Sequence, residues 1–231
     1  MTMSAPAPTP DISAFLASSV HDMKNSITIL IGGMEKILAA ADREGPEYRE
    51  LSHMMYETKR INGNLIQLLT LYKLGNHLYP FSPEDWLLDD FIQETVSQHQ
   101  PLLASRGIAF EVECEPDLIW PFDTDLVGGV VGHALNNAIH YTGSRIRLVA
   151  RRGAEGLELR VEDDGRGYPQ KMLDDGVAAM QGVDFQGGST GLGLYFSAMV
   201  ARMHRNKGQT GSIRLENGGA WGGGCFVLNL P

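Results

Sequence analysis

The chain is poor in cysteine, in positive charge and in long apolar runs, and each shortage removes a class of function. Only two cysteines, Cys114 and Cys225, occur in 231 residues. They stand far apart in apolar, strand-like contexts with no metal-ligand spacing, so they read as reduced, packed thiols. Lys and Arg total 19 against 28 Asp and Glu, giving a net charge of −9 and a pI near 5.2. With no cationic surplus to neutralise a phosphate backbone, a nucleic-acid binder is excluded. No apolar run approaches the roughly 18 residues of a membrane span. Residues 1–10 form a Pro/Ala/Ser/Thr tail without the basic-then-apolar layout of a signal peptide. A soluble, cytoplasmic protein with no membrane partner is expected, of a length that allows one large domain or two small ones.

What is present is a helical repeat. Leu16, Val20, Met23, Ile27, Leu30, Met34, Ile37 and Ala41 recur in alternating steps of four and three, the a/d pattern of a helix packed on partner helices. A first helix is expected from about Asp11, a plausible N-cap, to about Ala41. The turn Asp42-Arg43-Glu44-Gly45-Pro46 leads into a second helix that ends at Gly75-Asn76. Its apolar stripe comprises Leu51, Met54, Met55, Ile61, Leu65, Leu68, Leu69 and Tyr72. Two such helices cannot bury their stripes alone, so a homodimer through residues 11–75, closing a four-helix bundle, is expected. His21 falls just off the first seam, with Asp22 beside it and Asn25 one turn further on the same face. An exposed imidazole next to a carboxylate suits a group that accepts and passes on a phosphoryl group. Taken alone, such a fragment is more often a solvated bundle face.

Beyond the His77–Pro83 linker the pattern alternates. Trp86–Ser105 reads as a helix, Ile108–Glu113 as a half-buried strand and Asp125–His140 as a helix. Arg145–Arg151 and Leu157–Glu162 read as strands around the Gly153–Gly156 turn. Thr190–His204 reads as a helix entered through glycines, and Ser212–Glu216 with Gly224–Leu230 as a closing hairpin. The fold class is therefore α+β. A tail (1–10) precedes a helical hairpin (11–76), followed by a two-layer α/β sandwich (84–231) with helices over one face of a mixed sheet.

Three segments carry a resemblance. Asn137-Ala138-Ile139-His140-Tyr141, then Val161-Glu162-Asp163-Asp164-Gly165-Arg166-Gly167, then Gly187-Gly188-Ser189-Thr190-Gly191-Leu192-Gly193-Leu194 resemble the N, G1 and G2 boxes of the histidine kinases. These belong to the wider Bergerat-fold family of ATP-binding domains shared with gyrase, Hsp90 and MutL. Residues Phe15 to Asn25 then resemble the H box, so the likeness spans about Asp11 to Pro231. It implies ATP and Mg²⁺ as ligands. Asn137 would offer its amide oxygen to Mg²⁺, and Tyr141, with His140 beside it, would lie against the adenine. Asp163 would accept the adenine amino hydrogen, where guanine presents an oxygen. Gly165 and Gly167 would let the backbone approach the base. Gly191, Leu192 and Gly193 would present backbone amides to the phosphates at a helix entrance.

On the helices the resemblance makes His21 the nucleophile, Asp22 its base, and Asn25 the group that holds a water for removing phosphate from a regulator. The expected activity is a sensor-less, bifunctional histidine kinase that serves a response-regulator receiver domain and takes its input from elsewhere or from a partner such as a separate sensory protein. Three departures favour an alternative, a histidine phosphotransfer protein or dedicated regulator phosphatase with a weakened ATP site. The family usually has Asn at the place of His133 and often Lys at that of His140. The segment between the G1 and G2 boxes is short, with a single Phe185 and no Lys or Arg from Met172 to Ala201. His53, His99 and His204 lack an acid and amide at helical spacing and read as surface or packing residues.

Overall fold

The structure is a computed structural model that describes residues 12–42, 45–174 and 191–231. Helices α1 (Ile12–Ala40) and α2 (Pro46–Gly75) form a hairpin. Gly45 sits in extended backbone and Pro46 opens α2, where a missing N–H costs nothing. Asn76 ends α2 by donating its side-chain N–H to the Tyr72 carbonyl at 2.9 Å. An ion pair from Lys59 to Glu35 at 3.1 Å fixes the antiparallel register. The a positions of the α1 seam, among them buried Val20, turn inward, whereas the d positions Met23, Leu30 and Ile37 stay 54–59% exposed. A matching row on α2, Met54, Ile61 and Leu68, is 43–53% exposed.

The sandwich starts with two short elements that sequence patterning misreads. Trp86–Ser105 is not one helix. Glu84–Leu87 is a strand (β1), followed by helices α3 (Leu88–Ser97) and α4 (Gln100–Arg106). Pro101 opens α4, since it has no N–H to continue the preceding helix. Strand β1 pairs antiparallel with β3 (Ile119–Phe122), bringing Trp86 opposite Trp120.

The main sheet has the order β2-β4-β5-β9-β8, with β2 (Ala109–Cys114), β4 (Arg145–Gly153), β5 (Gly156–Asp163), β8 (Ser212–Gly218) and β9 (Gly223–Leu230). Strand β2 runs parallel to β4 and the other pairs are antiparallel. Register aligns Leu148, Val161, Phe226 and Leu215 across four strands, and Ala150, Leu159, Leu228 and Ile213 beside them. Against this face pack α5 (Thr124–Tyr141) and, after the short α6 (Gln170–Asp174), α7 (Leu192–Met203), through Val130, Leu135, Ile139, Phe196 and Val200 among others. The opposite face carries ion pairs, with Arg160 held by Glu162 at 3.0 Å and Arg151 by Glu158 at 2.7 Å. Buried Cys225 lies on that face, where desolvation pushes its thiol up to about 12, so it is an unreactive packing group. A small hairpin, β6 (Arg205–Asn206) with β7 (Gln209–Thr210), turns through Lys207 and Gly208, both at positive φ.

Two buried side chains pin the linker to the sandwich. The Asp123 carboxylate caps α5 at the Leu126 N–H (3.0 Å) and accepts from the Tyr79 hydroxyl (3.0 Å) and the Ser82 N–H (3.2 Å). His204 accepts from the Asp123 N–H at 3.1 Å and meets the edge of Phe81, so its role is structural. Exposed His53, and His99 bonded to the Thr95 carbonyl, likewise take no part in either site.

Candidate functional site: a histidine face and a glycine-lined pocket

On α1 the His21 side chain is 57% exposed and that of Asp22 79%. The Asp22 carboxylate oxygen lies 3.7 Å from His21 Nδ1, and the Asn25 amide nitrogen 3.3 Å from the same atom. Both neighbours crowd Nδ1, and among the described residues nothing hydrogen-bonds Nε2.

The second cluster gathers where α5, β5 and α7 meet. Asp163, the last residue of β5, is buried. Its Oδ1 accepts the N–H of Gly165 (2.7 Å) and of Gly224 (3.2 Å). Desolvation pushes the carboxyl above the usual Asp range, partly offset by those two donors. The surrounding glycines are required for space. A Cβ on Gly165 would lie 2.2 Å from the Tyr141 carbonyl oxygen, and one on Gly223 2.2 Å from that of Asp163. Gly167 has φ +75°, and its added Cβ would also strike the Asn217 amide.

Asn137 and His133 stand one turn apart on α5, with Asn137 Nδ2 2.9 Å from His133 Nε2. Burial pushes the His133 imidazole down to about 4, so it is neutral at physiological pH. Its ring lies over Gly193 in the first turn of α7, where an added Cβ would fall 1.9 Å from the imidazole. Gly191, at φ +61°, is the N-cap of α7, followed by Leu192 and Gly193 with amides that have no partner inside the helix. His140 and Tyr141 close α5 with their rings 4.7 Å apart, and the Arg166 guanidinium sits 5.3 Å from the Tyr141 ring. Tyr141 is 46% exposed. The expectations placed on Gly187 to Thr190 and Phe185 lie outside the described residues.

Three residues had no assigned part in the sequence reading. Asp164 gathers the α5–β4 loop: its Oδ1 accepts from the Thr142 hydroxyl (2.6 Å) and the N–H groups of Gly143, Ser144 and Arg145, and its Oδ2 from the Ser144 hydroxyl (2.7 Å). Desolvation opposes the carboxylate slightly, but these donors hold its pKa well below the usual Asp range. Asn217 clasps the backbone of Tyr168, accepting its N–H at 2.7 Å and donating to its carbonyl at 2.9 Å. Arg166 supplies a cation beside the pocket. Asp164 gave no local sign, because its partners Thr142 to Arg145 lie 19–22 positions earlier in the chain. Asn217 gave none.

A family model described as histidine kinase-, DNA gyrase B- and HSP90-like ATPase matches residues 122–231. The phosphate regulon sensor protein PhoR of Pseudomonas aeruginosa is 25% identical over 206 residues, which is 86% of this chain and 46% of PhoR. The sensor protein KdpD of Escherichia coli is 28% identical over 236 residues, 95% of this chain and 24% of KdpD. The chain thus spans less than half the length of these curated relatives. Among solved structures, full-length ShkA in complex with AMPPNP shares the fold with a TM-score of 0.62 at 17% identity, covering 96% of this chain and 45% of ShkA.

Proposed function

We propose that this chain, whose residues 122–231 match the histidine kinase-, DNA gyrase B- and HSP90-like ATPase model and resemble the ATP-binding part of two-component histidine kinases, transfers the γ-phosphoryl group of ATP to His21. The observation that carries the reading is the His21 ring, exposed on a helix, with Asp22 and Asn25 at Nδ1 and Nε2 left open. In this reading Nε2 attacks the γ-phosphorus, an N–P bond forms, and the bond to the ADP oxygen breaks. Asp22 takes the Nδ1 proton as charge builds on the ring. The phosphoryl group then passes to an aspartate of a response-regulator receiver domain.

On the nucleotide side, Asp163 accepts the adenine amino hydrogen through its second oxygen, its first being held by Gly165 and Gly224. Tyr141 and Arg166 flank the base, and Gly191, Leu192 and Gly193 meet the phosphates. Asn137 suits Mg²⁺ because its amide nitrogen is spent on His133, which leaves the oxygen as a hard ligand. Among the described residues no group of three or more His, Cys, Asp or Glu could hold a metal alone, which fits an ion carried by the phosphates. When bound, Mg²⁺ neutralises charge on those phosphates.

The exposed rows Met23-Leu30-Ile37 and Met54-Ile61-Leu68 support a homodimer in which two hairpins close a four-helix bundle. Asn25 supports a second activity, orienting a water toward a phosphorylated regulator. Acid-labile, base-stable label from γ-labelled ATP and Mg²⁺ is expected in wild type and absent in His21→Ala. Label that persists in the variant defeats this reading. Asn25→Ala is expected to keep autophosphorylation within about twofold and to slow regulator dephosphorylation by roughly tenfold or more; equal losses in both would remove the assigned division of labour.

A further inference from the structure

We propose that His133 is the positioning residue of the nucleotide site: as a hydrogen-bond acceptor at Nε2, seated on Gly193, it fixes which end of the Asn137 amide faces the phosphates. The inference rests on the ATP-binding reading and concerns how that site is set. An asparagine amide has one acceptor end and one donor end, and rotating it by half a turn exchanges them. If the NH₂ end faced the phosphates it would repel a metal ion, and only the oxygen end can ligate one. Nothing within Asn137 prefers either.

The choice is made one helical turn earlier. Asn137 Nδ2 lies 2.9 Å from His133 Nε2, and among the described residues no other side chain is hydrogen-bonded to the Asn137 amide. A neutral imidazole has one acceptor nitrogen and one donor nitrogen. With the acceptor at Nε2 and the proton at Nδ1, His133 can receive only the NH₂ end of Asn137, which turns Oδ1 outward. The ring lies against α7, in the place a Gly193 side chain would need. Gly193 therefore does two things. It leaves its amide open at the helix entrance, and it gives the imidazole a floor. One residue of the N box and one of the G2 box thus meet through His133, so the departure from the family's asparagine is a working substitute.

Two measurements test this on the whole chain. In the ¹⁵N spectrum at neutral pH, His133 Nε2 is expected at the shift of an unprotonated ring nitrogen and Nδ1 at that of a protonated one. The reverse pattern overturns the proposal. In calorimetric titration, His133→Leu fills the same space without an acceptor. It is expected to weaken AMPPNP binding by about 10–100-fold in Mg²⁺, while affinity in EDTA changes less than about twofold. His133→Gln, whose amide oxygen reaches the Nε2 position, is expected to restore most of the Mg²⁺-dependent gain. A loss that is equal with and without Mg²⁺ identifies a packing role and overturns the proposal, as does no loss at all. Wild-type protein that binds no nucleotide under either condition removes the ATP-binding reading itself, an outcome distinct from the other two.

Discussion

The hairpin and the sandwich treat their apolar residues in opposite ways. In the sandwich, every residue of β9 is buried and the α5 residues facing the sheet are nearly inaccessible. In the hairpin, Met23, Ile29, Leu30, Ile37, Met54, Ile61, Ile66 and Leu68 all remain largely exposed. A sheet with helices on one face is a complete solution to burial, because each layer covers the other. Two helices are not, since each buries one stripe and leaves a second open. The seam between the regions is loose as well: a cavity of about 1050 Å³ lies between them, bordered by Tyr56, Asn62, Gln67, Thr95, His99 and His133. The sandwich covers its own apolar residues, whereas the hairpin leaves one row on each helix uncovered.

That contrast can be broken from either side. The largest effect is expected in the pocket. Gly165→Ala places a Cβ 2.2 Å from the Tyr141 carbonyl, a backbone atom that cannot swing aside. Overpacking of this kind costs about 1–3 kcal/mol, so nucleotide affinity should fall by up to roughly 100-fold, read by calorimetry, with the dimer mass retained. An unchanged affinity would mean that the turn is not rigid. The reverse test is Leu30→Glu with Ile61→Glu, which puts charge in the open rows of both helices. Light scattering at micromolar concentration is expected to give a dimer for wild type and a monomer for the double variant, with nucleotide affinity within about twofold of wild type. A wild-type monomer would remove the bundle.

The smallest effect sharpens the sandwich side. The Asp164 carboxylate is worth most when ionised, because all its partners are donors. Its folded-state pKa lies below the ordinary Asp value near 4, so its contribution is complete above that value and is lost as pH falls through the folded pKa. Asp164→Asn should lower stability at pH 7 by about 1 kcal/mol once solvent screening is discounted. The gap between variant and wild type should narrow in acid, as followed by urea unfolding. A gap independent of pH would show that the shape of the side chain, and not its charge, closes the loop.

The regular elements were legible where periodicity was long. The bounds of β4, β5, β9 and α1 and the Gly75-Asn76 stop of α2 all read correctly to within a few residues. Errors came where elements were too short to show a period. Strands β1 and β3 have four residues each and pair with Trp86 opposite Trp120, a pairing between distant segments that no local pattern announces. The α3–α4 break hid in a helical pattern despite Pro101. Among site residues, Asp163 and the glycines stood out by type and spacing, while Asp164, Asn217 and the purpose of His133 did not. Each of these works by reaching a segment far away in the chain.

The sequence by itself determined the α+β class, the placing of a histidine beside an acid on a heptad helix, and the residues that resemble a nucleotide pocket. These depend on period, side-chain chemistry and the steric freedom of glycine, which are local properties. Only the tertiary structure decided that His133 lies between Asn137 and Gly193, that Asp164 fastens the loop after α5, and that Met23, Leu30 and Ile37 of one hairpin stripe and Met54, Ile61 and Leu68 of the other stay open. Those outcomes depend on which surfaces meet and at what distance, and packing sets both.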